Sequence, residues 1–363
     1  MQKYDIAAYI WPSYTGKEFR ARQFWPDGIG EWQTVMSVPS RMPLKPADNE
    51  WDRKPLWGCC DEADPKVMEM QIDEAVKHGV NVFIYDWYWY EGRPFLEDAL
   101  DKGFLGAPNN GKMKFFIMWA NHDVNEGWDN TVADKFKNGW IWRGTADDGT
   151  FDAISDRWIA KYFKRPNYYR IQGRPVLMVY DTANLIKGLG GEAQAAAALG
   201  RLRAKCVAAG LGGLHFMVCD YQIRPEWVKK LGIDSATIYN LVHWSSPKGN
   251  PDYAAWAQKA AERFDGQRGT GYPMYFAHAS VGWDQNPRYP SSVTTETVVA
   301  STPAKFEAAC RRAKDWMDKN QQPGQPKLIT VNSWNEWTEG SYLEPDTKWG
   351  FGYLEAVKKV FVD

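Results

Sequence analysis

The sequence predicts a (β/α)8 TIM barrel with long loops on its C-terminal face, and three observations lead to that expectation. Eight short apolar runs, spread over 363 residues, each precede a helical pattern, which fits a barrel better than an open doubly wound sheet. Polar residues fall just past the apolar cores of these runs, at Asp86, Asn121, Asp181, Asp220, Asn240, Asp284 and Glu336. That is the end of a barrel at which active sites sit, although a loop cap or turn residue is the plain alternative for each one alone. Hydrophobic residues make up 44% of the chain, enough to bury a large core, and residues 1–363 are expected to form one domain.

The elements follow in order. Asp5 to Trp11 reads as the first strand, and Pro12 to Asp64 as a long irregular segment holding Trp25, Trp32, Trp51 and Trp57. An insertion of that size in a compact fold is usually a functional loop. Asp64-Pro65 supplies an N-cap and a first-turn proline for a helix whose apolar stripe is Met68, Ile72, Ala75 and Val76, with Gly79 as its stop. Val80–Tyr85 is the second strand and Phe95–Phe104 a short helix; Met113–Met118, Pro175–Tyr180, Leu214–Cys219, Ser235–Tyr239 and Met274–Ala279 are strands three to seven. Helices are expected over Ala153–Phe163, Glu192–Ala209, Glu226–Leu231, Tyr253–Phe264, Pro303–Lys319 and Gly352–Phe361. The eighth strand is Leu328 to Val331, a β-branched apolar run.

Composition narrows the function classes. Lys+Arg 44 against Asp+Glu 45 leaves a net charge of -1, with no basic stripe for nucleic acid. The five cysteines are scattered without CxxC spacing, and the five histidines show no ligand spacing, so neither a disulfide framework nor a metal site is expected; His122-Asp123 with His243 or His278 is set aside. Gly188, Gly190 and Gly191 lack the lysine and acidic partner of a nucleotide fingerprint and read as a flexible loop. No apolar run approaches a membrane span. Twenty tryptophans and eighteen tyrosines are the outlier; an aromatic-lined carbohydrate cleft would use them, as would packed cores and rims.

The stretch KLITVNSWNEWTEGSYLEPD, Lys327 to Asp346, carries the chemistry. After the strand it turns polar and aromatic, and Glu336 and Glu339 stand three positions apart between tryptophans. In a continuing strand they would face opposite ways; in a turn their Cβ atoms come within about 5–6 Å. The pair therefore works together only if the strand ends near Asn335. Two carboxylates beside indoles suit a sugar site, where burial and a like charge keep one carboxyl protonated. In a direct displacement, a carboxyl separation of about 5–5.5 Å marks a covalent retaining enzyme and about 6.5–9.5 Å an inverting one.

WNEWTEG followed by SYLEPD, with AAYIWPSY near the start, FIYDWYWY, PNYYRIQGRPVLMVYD and VGWDQNPR, resembles the WbsX-like proteins, relatives of glycoside hydrolase family 99 and more distantly of family 71. The resemblance covers nearly the whole chain. It implies a barrel that acts on glycosidic bonds without metal, nucleotide or other cofactor, on an oligosaccharide or polysaccharide such as an α-mannoside. In family 99 a retaining route through a 1,2-anhydrosugar is proposed, and Glu336 would match the base that assists the 2-hydroxyl and Glu339 the acid/base on the leaving oxygen. Expected substrate contacts are Trp11, Asp86, Trp87, Trp119, Asn121, His243, Trp283, Asp284, Arg288, Asn335, Trp337 and Tyr342. A glycosyltransferase for polysaccharide assembly and a non-catalytic carbohydrate-binding barrel are the alternatives. A monomer is expected, and the resemblance favours a periplasmic or secreted form whose leader is absent here, against a cytoplasmic one.

Overall fold

The computed structural model describes residues 3–37, 53–130, 141–289 and 293–363; Trp51 lies outside them. Eight parallel strands form the barrel: β1 (Asp5–Ile10), β2 (Val82–Tyr90), β3 (Lys114–Trp119), β4 (Arg174–Val179), β5 (His215–Cys219), β6 (Ser235–Thr237), β7 (Met274–Tyr275 continuing at His278–Ser280) and β8 (Leu328–Asn332). The ring closes through β7 and β8. Ser235 of β6 pairs with Met274, His278 pairs with Thr330 of β8, and Leu328 pairs with Asp5 of β1. Each strand is buried along almost its whole length, because helices cover its outer face while side chains fill the inside. This is why the strands read as continuous apolar runs.

The helices lie where their periodicity puts them. Pro65–Lys77 starts at Asp64, whose side chain accepts from the Lys66 N–H, and buries Met68, Ile72 and Ala75, while Val76 is left exposed at the edge of the stripe. Thr302 caps Pro303–Asn320, which packs beside Gly352–Phe361. Three local expectations are corrected. β2 runs on to Tyr90 because Tyr88–Tyr90 pairs with a hairpin strand at Arg93–Phe95, so Phe95 is extended and the helical turn is confined to Ala99–Phe104. The segment before the Ala-rich helix is not only a loop. Asp181 accepts from the Asn184 N–H and starts a helix over Thr182–Gly188, after which Gly190 and Gly191 make the turn. The first βα segment holds a short helix at Trp32–Met36.

A polar layer crosses the barrel interior below the C-terminal face. Thr237 and Thr330, from the non-adjacent strands β6 and β8, share a hydrogen bond of 2.7 Å, and His278 Nδ1 lies 2.9 Å from the same Thr330 hydroxyl. Burial pushes the His278 imidazole down to about 3, so it is neutral and needs these partners to satisfy its ring nitrogens. Thr330→Val keeps the shape and removes the shared hydroxyl. The expected outcome is a loss of about 1–3 kcal/mol for each buried group left unpaired, read as a lower urea midpoint; an unchanged midpoint would mean that the layer does not contribute.

Candidate active site

The C-terminal ends of the strands surround a cavity of about 290 Å³. Its walls come from alternate residues. Asp86 and Tyr88 of β2, and Met118, Ala120 and His122 at the end of β3, face it, as do Trp11, Tyr180, Tyr239 and His243 from other strand ends. Trp128, Trp283, Gln285 and Arg288 complete the rim, with Glu336 and Glu339 at the β8 end. The strand does end in time for the glutamates to meet. After Asn332 the chain makes a two-residue strand at Asn335–Glu336 and a 3-10 turn at Trp337–Glu339. Ser333 Oγ accepts the Glu336 N–H at 2.7 Å. Gly340, at φ 62, stops the turn; a Cβ there would come 3.0 Å from the Asp284 side chain, so a left-handed residue without a side chain is required.

One guanidinium ties the floor together. Arg288 Nη1 donates to Glu339 Oε1 at 2.7 Å, Nη2 reaches Glu336 Oε2 at 3.3 Å, and Nε donates to Thr338 Oγ1 at 2.9 Å and to Glu31 Oε1 at 3.3 Å. Glu31 also accepts from the Trp11 indole, from Ser13 Oγ at 3.0 Å and from Thr338 Oγ1 at 2.9 Å. Tyr239 Oη lies 3.0 Å from both Asp86 Oδ2 and Glu336 Oε1. Glu339 Oε2 and Asp86 Oδ1 are buried without a hydrogen bond. Burial raises the pKa of Glu336 well above the usual carboxylate range, with the Glu339 charge next in weight; burial also raises Glu339, against the pull of Arg288. Burial raises Asp86 well above its ordinary value too, although Tyr239 favours the charged form. Such a site can hold a proton on one carboxyl and a charge on its neighbour.

The residues expected at the site divide into two groups. Trp11, Asp86, His243, Trp283, Arg288, Glu336 and Glu339 meet at the cavity. His243 Nε2 lies 3.1 Å from Tyr180 Oη, and burial lowers its pKa to about 4, so it is neutral. The others stand behind the wall. Trp87 points outward, donating to Glu97 at 2.7 Å and packing on Trp158, where Trp119 also packs. Asn121 clamps the Asp181 backbone with two 2.8 Å bonds. Asp284 accepts from Asn286. Asn335 bonds the Trp11 N–H at 2.8 Å and carbonyl at 2.9 Å and donates to Glu62. Trp337 stacks on Tyr342 at 3.7 Å and donates to Glu344 at 2.6 Å, while Tyr342 donates to Asp346 at 2.8 Å. Trp334 packs on Phe83 and donates to Gln71, outside the barrel interior.

Sequence reading missed Glu31, Tyr88, His122, Trp128, Tyr180, Tyr239 and Gln285. The signal for two of them was present. A period of two from Asp86 selects Tyr88 and rejects Trp87, and the same rule applied from Met118 selects His122 and rejects Trp119. Glu31 and Trp128 lie in irregular loops, where no period applies. Among the described residues, no group of three or more His, Cys, Asp or Glu side chains is arranged to hold a metal ion, and no helix is long and apolar enough to cross a membrane.

A family model described as "Glycosyltransferase WbsX" matches residues 6–357. The chain belongs to the WbsX family. Two curated relatives, both named "Uncharacterized protein WxcX" and from two strains of Xanthomonas campestris pv. campestris, are 27% identical over 359 residues, which is 93% of this chain and 46% of theirs. The WbsX chain thus spans about half the length of the curated relatives it matches. Among solved structures it is similar to the GH99 endo-alpha-mannosidase from Bacteroides thetaiotaomicron, with TM-score 0.63, 13% identity and coverage of 98% of this chain and 95% of that one. A "Glycoside hydrolase-like protein" aligns with TM-score 0.60 and 14% identity over 99% of this chain and 94% of its own. At such identities the likeness establishes the TIM-barrel fold.

The brace behind the turn makes stability pH-dependent. Glu62 accepts from Asn335 at 3.0 Å and from Gln71 at 3.3 Å, and Gln71 also donates to Glu344 at 2.9 Å. Burial raises Glu62 to about 8 from an ordinary value of 4.5. A carboxyl with its folded pKa raised contributes stability that is complete below 4.5 and lost as pH rises through about 8. Glu62→Gln should therefore flatten the decline in unfolding free energy over that interval, by an amount on the order of a few kcal/mol. Urea denaturation of both proteins across the interval checks this, and parallel profiles would contradict it.

Proposed function

We propose that this WbsX-family chain is a glycoside hydrolase that cleaves glycosidic bonds in an oligosaccharide or polysaccharide with retention of configuration, and that residues 1–363 act as one catalytic domain. The observation that carries this reading is the disposition of Glu336 and Glu339. They lie on one turn, on the two arms of one buried guanidinium, at the floor of an aromatic-walled cavity. Glu339 accepts from Arg288 through Oε1 and lines the cavity, so its other oxygen can carry a proton while Oε1 keeps its bond. Glu336 receives Tyr239 and Arg288, the setting of a stabilised base.

Glu336 takes the proton of the sugar 2-hydroxyl, whose oxygen attacks C1. The bond from C1 to the leaving oxygen breaks, and Glu339 gives that oxygen its proton. Water then attacks C1 as the bond from C1 to the 2-oxygen breaks, Glu339 takes a proton from the water, and Glu336 returns its proton to the 2-oxygen. One water is consumed and both carboxyls regain their starting states. Trp11, Trp128 and Trp283 offer apolar faces to the ring carbons of the sugar. An α-mannoside is the substrate that the GH99 likeness favours.

A second reading, transfer of the sugar to another sugar's hydroxyl in place of water, is favoured by the family's description as a glycosyltransferase. It uses the same carboxyl pair with a different acceptor. Wild type should release sugars from at least one of a panel of plant, fungal and bacterial polysaccharides, read by mass spectrometry. Glu339→Gln or Glu336→Gln should lose about 10²–10⁴-fold in rate in a protein that still unfolds in one cooperative transition. Undiminished release by Glu339→Gln would contradict the assignment, and a melting shift on titrating a nucleotide sugar would move it to transfer.

A further inference from the structure

Tyr239 Oη stands 3.0 Å from a carboxyl oxygen on each side, Asp86 Oδ2 and Glu336 Oε1. A phenol has one proton to donate. It can serve only one of the two carboxyls, and the other contact places two oxygen lone pairs together unless that carboxyl carries a proton and donates to the phenol. Tyr239 itself cannot ionise here, since burial raises its pKa well above its ordinary value and both carboxyls add to that rise. The chain of three groups therefore holds one proton more than the phenol supplies.

The surroundings decide which end holds it. Burial and the nearby charges of Glu339 and Glu31 oppose ionisation of Glu336, but its carboxyl faces the Arg288 guanidinium, Nη2 at 3.3 Å, which favours the charged form. Asp86 has no ion pair among the described residues. The other charged group bearing on it is Glu339, from the β8 turn, and it repels a charge on Asp86. Tyr9, Tyr88, Tyr180 and Cys219, from β1, β2, the end of β4 and β5, surround it as neutral groups whose pKa burial pushes up. Negative charge is therefore favoured at Glu336 and the proton at Asp86.

We propose that Asp86 is a positioning residue that carries this proton, donating through Oδ2–H to Tyr239 Oη so that the Tyr239 O–H points at Glu336 Oε1 and holds Glu336 ionised as the base. The inference rests on the reading of Glu336 given above. It also accounts for Asp86 Oδ1, buried without a partner: in a protonated carboxyl that atom is the carbonyl oxygen and bears no full charge. No covalent step is involved. If Glu336 takes a proton as base, the phenol and Asp86 keep theirs.

The test needs no substrate, so it stands apart from the success or failure of the hydrolase reading. Protein grown with aspartate isotope-labelled at the side-chain carboxyl is examined by infrared spectroscopy at neutral pH. The difference between wild type and Asp86→Asn should contain the carbonyl band of one protonated aspartic acid. Tyr239→Phe should retain that band and shift it to higher frequency, because the acid loses its acceptor. Absence of a protonated-acid band in the wild type, or a band that Tyr239→Phe does not move, would overturn the proposal. If Asp86→Asn does not fold, the band and its shift in Tyr239→Phe decide the matter alone.

Discussion

The Arg288 guanidinium is the interaction on which the rest of the site depends. It reaches three carboxylates from two different loops, Glu31 after β1 and Glu336 and Glu339 after β8, and it comes itself from the loop after β7. Buried ions must recover a large desolvation cost through geometry, and removing one partner of such a cluster typically costs about 3–5 kcal/mol because it leaves the others uncompensated. Among the described residues Arg288 is the cation paired with Glu31, Glu336 and Glu339, and one positive charge cannot neutralise these and the buried Asp86 if all four are ionised. Protons must remain on some of them. The histidines near the cavity, His122 and His243, are held neutral by burial, so the proposed acid and base are both carboxyls.

The long motif around Glu336 is mostly scaffolding. Asn335 ties the turn to the Trp11 backbone at the end of β1. Trp337 and Tyr342 stack and are fixed by Glu344 and Asp346. Trp334 fills the space beside Phe83. These contacts hold two glutamate side chains in one place, which is what catalysis by positioned groups requires. The tryptophans accordingly serve in two layers: Trp11, Trp128 and Trp283 face the cavity, while Trp87, Trp119 and Trp158 pack together behind it.

The barrel was legible from the sequence because its strands are buried on both faces and its helices carry ordinary caps, and the carboxyl pair was legible because it follows a strand directly. Polar residues at strand ends were less informative. Asp181 became a helix cap, Asn121 a backbone clamp and Asn240 a cap that also donates to Asn332; only Asp86 and Glu336 of that set reach the cavity. Tryptophans drew attention by type, where strand parity would have directed it to Tyr88 and His122. Glu31 was beyond reach, since only the closed barrel brings an irregular loop after β1 against one after β7.

The most direct measurement is a crystal structure of Glu339→Gln with an oligosaccharide that the wild type degrades. A glycosidic oxygen should lie against the side chain at position 339, with the 2-hydroxyl of the same sugar on Glu336. An oligosaccharide seated elsewhere, with the Arg288 cavity empty of sugar, would contradict it.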